Sequence, residues 1–387
     1  MRRIILIIID SLGIGAMDDV YINRSQDIGA NTLKSLMNYS DCLNIPNLLK
    51  IGIINALGIE SEVFKFEKDA DVTYGSAKLG YSGADSYLGH MEMFGYNLSS
   101  IEMEPISKNI KVIADRIEEL GYKVEVKGSK LKYIVVNECI FIGDNIEAEA
   151  GSVYSVIGYN GSMDFSEIKQ ISLEIRKLVR VPRIVAVSSN MTISELEGYI
   201  EDDDKYIGIN SEKCSLYNKE YKVEHIPYAL NNQNTLTEYL HDRNIKTSLI
   251  GKVADIIPDD RFNKKKLVKN EEIFSEIKKT VSYDDSRFIV ANFQECDLSG
   301  HLNSIEGYVT KLNEIDAYIG WILNNLKEND MLMITADHGN DPAIGHRYHT
   351  RERVPVLVHN NDVYKGYIGN FDSLVIISEI IKESFRH

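Results

Sequence analysis

The stretch 331–341, MLMITADHGND, joins a short apolar run to a cluster of polar side chains. A short run of apolar and β-branched residues that ends in turn-forming residues is typical of a buried β-strand. In open α/β sheets, ligand-binding side chains collect just beyond the carboxyl ends of the strands. The stretch therefore predicts a strand at Met331–Thr335 in an α/β fold, with Asp337 and His338 at a ligand site.

Other apolar runs fit the same kind of sheet, namely Ile4–Ile9, Thr247–Ile250 and Phe288–Phe293. The segment 304–326 carries one apolar helical stripe, formed by Leu312, Ile315, Ile319, Ile322 and Leu326. Residues 288–335 are therefore predicted to form a strand–helix–strand unit, the connection that parallel strands require. We predict an α/β core with a mostly parallel sheet.

The region 98–226 has a different pattern. It combines a predicted helix at 109–120, a strand-like stretch at 133–142, a helix that begins after Asp164, a strand at 183–188 and an acidic run at 201–204. This α+β region lacks the clusters of metal-binding side chains that occur on either side of it. We therefore predict a domain at 98–226 that is inserted into a core formed by 1–97 and 227–387.

The composition excludes some function classes. The chain has 387 residues and a formal net charge of −15, which argues against broad binding of nucleic acid or of anionic membranes. The four cysteines are far apart and form no C-x-x-C pair, which favours a cytoplasmic location. The first apolar run has six residues and stops at Asp10, so we interpret it as a buried strand rather than a signal peptide. No other segment approaches the roughly 20 apolar residues that span a bilayer.

Metal-binding residue types also follow the other strands. Asp10 ends the first run, and Asp297 and His301 come shortly after the run at 288–293. His349 lies close enough in sequence to return to the Asp-His pair at 337–338. Each of these residues alone is equally typical of a helix cap or an exposed turn. Together they offer the oxygen and nitrogen ligands that divalent transition metals prefer.

A serine completes the candidate site. The stretch 82–92, SGADSYLGHME, predicts a loop that leads into a helix, with Ser86 at or near the helix N-terminus. The free N–H groups and the positive end of the helix dipole suit a phosphate there, although a serine in this position can also be only an N-cap. Two metal ions ~3.5–4 Å apart can hold a phosphoryl group and activate a serine hydroxyl. The candidate ligands are Asp10, Ser86, Asp297, His301, Asp337, His338 and His349.

The order and spacing of these residues resemble the metalloenzymes of the alkaline phosphatase superfamily. The similarity is greatest to phosphopentomutases and more distant to cofactor-independent phosphoglycerate mutases, and it extends over 8–15, 83–92, 251–256, 334–342 and 349–355. The resemblance implies an alkaline-phosphatase-like α/β core of three layers, with an inserted α+β cap that closes over the substrate.

The resemblance also implies roles for individual residues. One metal would be held by Asp10, Ser86, Asp337 and His338, and the other by Asp297, His301 and His349. Ser86 would carry the phosphoryl group, and Lys252 would contact the phosphate of the substrate. Mn²⁺ is the expected ion, and mixed oxygen and nitrogen ligation is also compatible with Zn²⁺.

The sequence departs from the phosphopentomutase pattern in several places. Ser86 stands where phosphopentomutases usually have threonine, and Asp297 precedes His301 by four residues instead of five. The segment 216–230 contains no arginine of the expected sugar-phosphate signature, and Gly151 stands where an aspartate is expected. The metal chemistry therefore transfers to this chain, whereas the identity of the substrate does not.

Three functions remain open at this point. The first is a phosphomutase, an isomerase that moves a phosphoryl group within a small phosphorylated sugar. The second is a phosphatase, phosphodiesterase or phosphonate hydrolase that uses the same site, and the third is a non-catalytic metal-bound binding module. A sulfatase is disfavoured because Ser86 lacks a C/S-x-P-x-R context. Four further residues either support the metal ligands, contact the phosphate or serve packing: His90, Glu92, Arg351 and Glu352.

Overall fold

The computed structural model describes residues 2–386 except 40, 70–71, 203–204, 215, 217–220, 229–233 and 361–364. These residues form two compact units, the first made of Met1–Leu98 and Asn231–His387 and the second of Ser99–Leu230. The second unit extends a few residues past the predicted boundary at 226. Part of the acidic run at 201–204 and the segment 217–220, which belongs to the region without arginine, lie outside the described residues.

The elements are numbered in chain order. The strands are β1 (Ile4–Ile9), β2 (Thr73–Ala77), β3 (Val124–Lys127), β4 (Tyr133–Val136), β5 (Ile140–Asp144), β6 (Val153–Tyr159), β7 (Arg183–Ser189), β8 (Ile200–Asp202), β9 (Ile207–Ile209), β10 (Lys222–Pro227), β11 (Thr247–Ile250), β12 (Asn263–Lys265), β13 (Phe288–Phe293), β14 (Met331–Thr335), β15 (Val354–His359) and β16 (Gly366–Phe371). The helices are α1 (Val20–Asn23), α2 (Thr32–Met37), α3 (Pro46–Lys50), α4 (Ile53–Leu57), α5 (Ser86–Met93), α6 (Ile106–Glu119), α7 (Phe165–Arg176), α8 (Ile193–Glu197), α9 (Ser211–Cys214), α10 (Leu236–Asp242), α11 (Lys252–Ile256), α12 (Asn270–Tyr283), α13 (Glu295–His301), α14 (Ile305–Asn325) and α15 (Val375–Ser384).

The first unit contains a sheet with the order β12-β11-β13-β1-β14-β15-β2-β16. The pairs from β12 to β14 are parallel, β15 is antiparallel to both of its neighbours, and β16 is parallel to β2. Every side chain of β1 is fully buried. Burial on both faces explains why β1 is apolar throughout instead of alternating. The predicted α/β class with a mostly parallel sheet is confirmed.

The register of the three central strands brings their carboxyl ends level. Ile9 at the end of β1 pairs with Phe293 at the end of β13, and Ile8 pairs with Thr335 at the end of β14. Parallel strands that end at the same height present the residues that follow them at one edge of the sheet. The segments that continue from β1, β13 and β14 therefore start side by side.

The second unit is an α+β structure. Its sheet has the order β10-β7-β6-β5-β4-β3, with β9 paired to β5 and β8 paired to β9. Helices α6 and α7 pack their apolar stripes into one buried cluster with the sheet, and these stripes include Ile110, Ile113, Ile117, Ile168, Ile171 and Ile175. Helix α6 begins at Ile106 rather than at the predicted residue 109, because the Asp144 carboxylate accepts a hydrogen bond from the Ile106 N–H at 2.8 Å.

The strand-like stretch predicted at 133–142 is divided into two strands. The chain forms a hairpin there, in which β4 and β5 pair antiparallel. Asn137 and Glu138 make the turn, with φ values of 47° and 58°. Positive φ values at both central positions are what a tight hairpin turn requires. The residues on both sides of this short turn are apolar, so the sequence pattern alone does not distinguish one long strand from two short ones.

Helix α14 follows the predicted stripe. Ser304 caps its N-terminus by accepting a hydrogen bond from the Gly307 N–H. On the buried side of α14, the Asp316 side chain is 1% exposed. Its carboxylate accepts hydrogen bonds from the backbone N–H of Leu48 at 2.7 Å and from the backbone N–H and the side-chain amide of Asn47. This carboxylate therefore joins α14 to the first turn of α3.

In the described part of the chain, no helix combines the length and the apolar composition needed to cross a bilayer.

We expect Asp316→Asn to lower the free energy of unfolding by about 1–3 kcal/mol, because an amide N–H would then face backbone donors in a buried position. Urea unfolding followed by circular dichroism measures the change. Asp372→Asn is the control, since that side chain is 91% exposed and its surface ion pair contributes little. Equal stability of the two variants would contradict this role of Asp316.

Candidate active site

The three level strand ends deliver three buried carboxylates. Asp10 directly follows β1, and its N–H donates to the Phe293 carbonyl at 3.1 Å, which extends the β1–β13 ladder by one residue. Asp337 lies two residues beyond β14, and Asp297 lies in the first turn of α13 behind β13. All three are nearly inaccessible to solvent. The register of the sheet thus concentrates negative charge in one buried place.

The first group of candidate ligands contains Asp10, Asp337 and His338. One ligand atom from each lies within 4.8 Å of the others. The Nε2 atom of His338 is 3.6 Å from Oδ1 of Asp10 and 3.3 Å from Oδ2 of Asp337. The hydroxyl of Ser86 donates a hydrogen bond to Oδ2 of Asp337. The structure therefore brings together the four residues that were predicted to share one ion.

The second group contains Asp297, His301 and His349. Helix α13 places Asp297 and His301 one turn apart, with Nε2 of His301 3.2 Å from the carboxylate. The Nε2 atom of His349 lies 3.5 Å from the same carboxylate and 3.1 Å from Nε2 of His301. Three ligand atoms of mixed type therefore converge here as well.

His338 lies between the two groups. Its ring stacks on the His349 ring with centroids 3.8 Å apart, and Asp297, His338 and His349 also satisfy the spacing of a metal site. The two groups are therefore adjacent, and His338 is the residue that both could use.

A backbone carbonyl oxygen on the side away from the carboxylates fixes the ring orientation of each candidate histidine. The Nδ1 atoms of His301, His338 and His349 lie 2.7, 3.0 and 2.8 Å from backbone carbonyl oxygens. Since a carbonyl can only accept, each Nδ1 carries a proton, and each Nε2 faces the carboxylates. This is the arrangement found behind metal-binding histidines.

The donor atoms fit divalent metal ions. Within the described residues, Oδ1 of Asp10 and Nε2 of His338 are fully buried and have no hydrogen-bond partner. Leaving such atoms unpaired is costly, and a cation would satisfy both. Carboxylate and imidazole ligands together suit Mn²⁺ or Zn²⁺.

Ser86 is the first residue of α5 and is not its cap. Asp85 occupies the N-cap position and accepts a hydrogen bond from the Leu88 N–H at 2.9 Å. The alternative that Ser86 serves only as an N-cap is therefore wrong. Its hydroxyl instead contacts Asp337 and lies 2.9 Å from Nζ of Lys252.

Lys252 contributes the positive charge of the site. Its Nζ lies 2.6 Å from Oδ2 of Asp10 and 3.9 Å from Oδ2 of Asp297. The preceding Gly251 has a φ of 85°, and a Cβ there would overlap the Asn292 carbonyl oxygen, so only glycine fits the turn from β11 into α11. This turn directs Lys252 to carboxylates from both groups.

Burial and neighbouring charges shift the pKa values of the site. Burial lowers the pKa of His338 to about 4, so the ring is neutral at pH 7, as a metal ligand must be. Burial also raises the pKa of Asp10, and the charge of Asp337 adds to that shift. For Asp337, burial is outweighed by the nearby imidazoles and by Lys252, which hold its pKa below the usual value. The carboxylates thus compete for positive charge, a condition that a divalent cation relieves.

The supporting residues proposed from sequence have separate roles. Nδ1 of His90 lies 2.8 Å from the Ser86 carbonyl oxygen and 3.4 Å from the Asp337 carboxylate, behind the site. Glu92 accepts hydrogen bonds from the backbone N–H groups of Gly80 and Leu374, and so joins two backbone segments.

Arg351 holds the loop that leads to the serine. Its guanidinium donates to the carbonyl oxygens of Leu79, Tyr81 and Gly83 and also pairs with the Asp19 carboxylate. With its donors occupied in this way, Arg351 positions the chain before Ser86. It is not available as a phosphate ligand.

Sequence reasoning missed two residues next to the candidate ligands. The Asn340 side chain donates to Oδ1 of Asp297 at 2.9 Å. The Ser11 N–H donates to Oδ1 of Asp337 at 3.1 Å from a backbone with a φ of 71°. The position of Asn340 two residues after the Asp-His pair was a usable signal. The unusual conformation of Ser11 was not, because a serine does not require a positive φ.

Comparison with known proteins identifies the family. A sequence model of the metalloenzyme superfamily matches residues 2–385. The chain belongs to the metalloenzyme superfamily. This metalloenzyme is 29% identical to a phosphopentomutase of Clostridium kluyveri over 380 residues, which cover 95% of the chain and 90% of the relative. It is 28% identical to a phosphopentomutase of Pseudoalteromonas translucida over 409 residues, which cover 100% and 96%.

A solved cofactor-independent phosphoglycerate mutase from Thermoplasma acidophilum is 13% identical to this metalloenzyme, with a TM-score of 0.41 and 99% of each chain covered. The predicted resemblance to phosphopentomutase-like metalloenzymes is confirmed by the family and the curated relatives. Membership in the superfamily implies divalent metal ions as cofactors.

We expect the full chain to bind about two Mn²⁺ ions, and the double variant His301→Ala/His349→Ala to bind about one, because the second group would lose two of its three ligands. Inductively coupled plasma mass spectrometry after dialysis gives the stoichiometry. His241→Ala, whose position in α10 lies outside both groups, is the control. An unchanged stoichiometry in the double variant would exclude the second group as a metal site.

Proposed function

We propose that this chain is a metal-dependent phosphomutase that moves a phosphoryl group within a small phosphorylated sugar through a phosphoserine at Ser86. The phosphopentomutase relatives, which match nearly the whole chain, support a phosphomutase. The observation that carries the proposal is the surroundings of the Ser86 hydroxyl, which contacts the Asp337 carboxylate and the Lys252 ammonium beside two groups of candidate metal ligands.

The ligand assignment follows the two groups. Asp10, Ser86, Asp337 and His338 would hold one ion, and Asp297, His301 and His349 would hold the other. Bound ions supply positive charge to the phosphoryl oxygens and lower the pKa of the serine hydroxyl. Mn²⁺ is the proposed ion, with Zn²⁺ as the alternative.

The protein side chains around Ser86 prepare it as a nucleophile. The hydrogen bond to Asp337 directs the hydroxyl proton toward that carboxylate. The Lys252 ammonium, 2.9 Å from Oγ, stabilises the negative charge that develops as the proton leaves. Because Lys252 is so close to Oγ, it would also contact the oxygens of a phosphoryl group carried by Ser86, which is the phosphate contact proposed from the resemblance.

The transfer takes two displacements. In the first, Oγ of Ser86 forms a bond to phosphorus, the bond from phosphorus to the sugar oxygen breaks, and the serine proton goes in net terms to that oxygen. In the second, another hydroxyl of the same sugar attacks phosphorus, the bond to Oγ breaks, and the proton of that hydroxyl goes in net terms to Oγ of Ser86. Phosphate is thereby moved within one molecule without being released.

Exclusion of water separates a mutase from a hydrolase at such a site. We assign this role, that of a cap, to the second unit, Ser99–Leu230. The sugar itself stays unassigned, because the segment 216–230 lacks the arginines expected of a phosphopentomutase.

A cytoplasmic location also stays a prediction.

We expect Ser86→Ala to lose phosphoryl transfer by at least about 10³-fold and to form no phosphoenzyme, since the nucleophile is gone. The measurements are turnover of a panel of sugar phosphates with Mn²⁺ and intact-protein mass spectrometry for the phosphate adduct. Ser86→Thr is the control, because it retains a hydroxyl. Full activity in Ser86→Ala would exclude Ser86 as the nucleophile.

We expect turnover in ¹⁸O-labelled water to give isomerised sugar phosphate without label. The phosphoryl group passes from the sugar to Ser86 and back, so no solvent oxygen enters it. Mass spectrometry of the product and of inorganic phosphate measures the incorporation. Release of labelled inorganic phosphate as the main product would instead identify a hydrolase that uses the same residues.

A further inference from the structure

Glu352 is a fully buried carboxylate with four hydrogen-bond donors around it. Its Oε2 accepts from the Gly15 N–H at 3.0 Å and from the Thr32 N–H at 2.9 Å. Its Oε1 accepts from the hydroxyls of Thr32 at 2.7 Å and Thr350 at 2.6 Å. A buried carboxylate therefore lies where backbone and side-chain donors from three segments converge.

The two hydroxyls must donate to Glu352. Oγ1 of Thr32 already accepts a hydrogen bond from the Asn340 N–H, and Oγ1 of Thr350 accepts one from the Asp341 N–H, both at 3.2 Å. A hydroxyl that accepts on one side has its proton free for the other side. All four neighbours are thus donors, and the position suits an ionised carboxylate better than an amide.

Apart from Thr32 at the start of α2, the segments joined by Glu352 carry candidate metal ligands. Gly15 lies on the segment that follows Asp10, and Thr350 directly follows His349. Glu352 contacts the segment after His338 in two ways. The hydroxyls of Thr32 and Thr350 connect it to the backbone N–H groups of that segment. The Glu352 side chain also packs against Gly339, where a Cβ would overlap it. Isolated β-bridges pair residue 16 with 352 and residue 339 with 350. One side chain therefore fixes three ligand-bearing segments relative to one another.

We infer that Glu352 is a positioning residue for the metal centre, an inference that rests on the proposed two-metal site. Among the described residues, its hydrogen bonds go to Gly15, Thr32 and Thr350 and not to a candidate ligand. It acts by holding the backbone from which Asp10, His338 and His349 project. Loss of its charge lets the three segments shift, so the ligands lose their common geometry while the fold remains.

Asp316 provides a matched control within the same unit. It is as deeply buried as Glu352 and also accepts several hydrogen bonds, from Asn47 and Leu48. Those bonds join α14 to α3, and neither helix carries a candidate ligand. Asp316→Asn therefore reproduces the loss of a buried charge without affecting the ligand-bearing segments.

The test is calorimetric titration of Mn²⁺ into metal-depleted full-length protein at pH 8. This pH lies above the pKa of Glu352, which burial raises to about 7. We expect Glu352→Gln to weaken Mn²⁺ binding by about 10–100-fold, the usual effect of removing support behind metal ligands. It should also lower kcat for phosphoryl transfer with little change in KM. Asp316→Asn should bind Mn²⁺ with the affinity of the wild type. We expect both Glu352→Gln and Asp316→Asn to unfold at a lower temperature than the wild type.

Thr32→Val is a second variant in case Glu352→Gln does not fold. It removes one hydroxyl donor to Glu352 and should weaken Mn²⁺ binding by about 2–10-fold, as expected for one hydrogen bond. Wild-type affinity in the folded Glu352→Gln protein, or in Thr32→Val if the former is unfolded, would overturn the inference. An equal loss of affinity in Asp316→Asn would also overturn it. Failure of the wild type to bind Mn²⁺ would instead refute the proposed function itself.

Discussion

The parallel register of β1, β13 and β14 is the constraint on which the rest of the site depends. Because these strands end level, residues that are nearly 330 positions apart in the chain start from one edge of the sheet. Asp10, Asp297 and Asp337 are each within a few residues of such an end. A slip of one strand by a single residue would reverse which face its side chains occupy and would separate these carboxylates.

Three carboxylates buried together are unstable without positive charge. Lys252 provides one ammonium, and His338, whose pKa burial lowers to about 4, presents a neutral Nε2 atom because the Gly339 carbonyl holds its proton on Nδ1. The chain thereby prepares a site with an excess of negative charge and unshared electron pairs. Two of the charged groups that make the site suitable for cations also contact the Ser86 hydroxyl. The Asp337 carboxylate accepts its hydrogen bond, and the Lys252 ammonium donates to its oxygen.

Much of this arrangement could be predicted from sequence, because its signals are local. A continuous apolar run followed by Asp or His identifies both a buried strand and the residue at its end, as in the stretch around Asp337. Contacts that depend on backbone conformation or on distant partners could not be predicted. The positive φ of Ser11, the hairpin turn at Asn137 and the four donors around Glu352 have no pattern in the residues themselves.

The most direct test of a two-cation site beside Ser86 is anomalous diffraction from crystals grown with Mn²⁺, collected at the manganese absorption edge. Two peaks are predicted, one bounded by Asp10, Ser86, Asp337 and His338 and the other by Asp297, His301 and His349, about 3.5–4 Å apart. Ions bound elsewhere, or more than about 10 Å from Oγ of Ser86 and so outside any shared coordination sphere, would contradict the account.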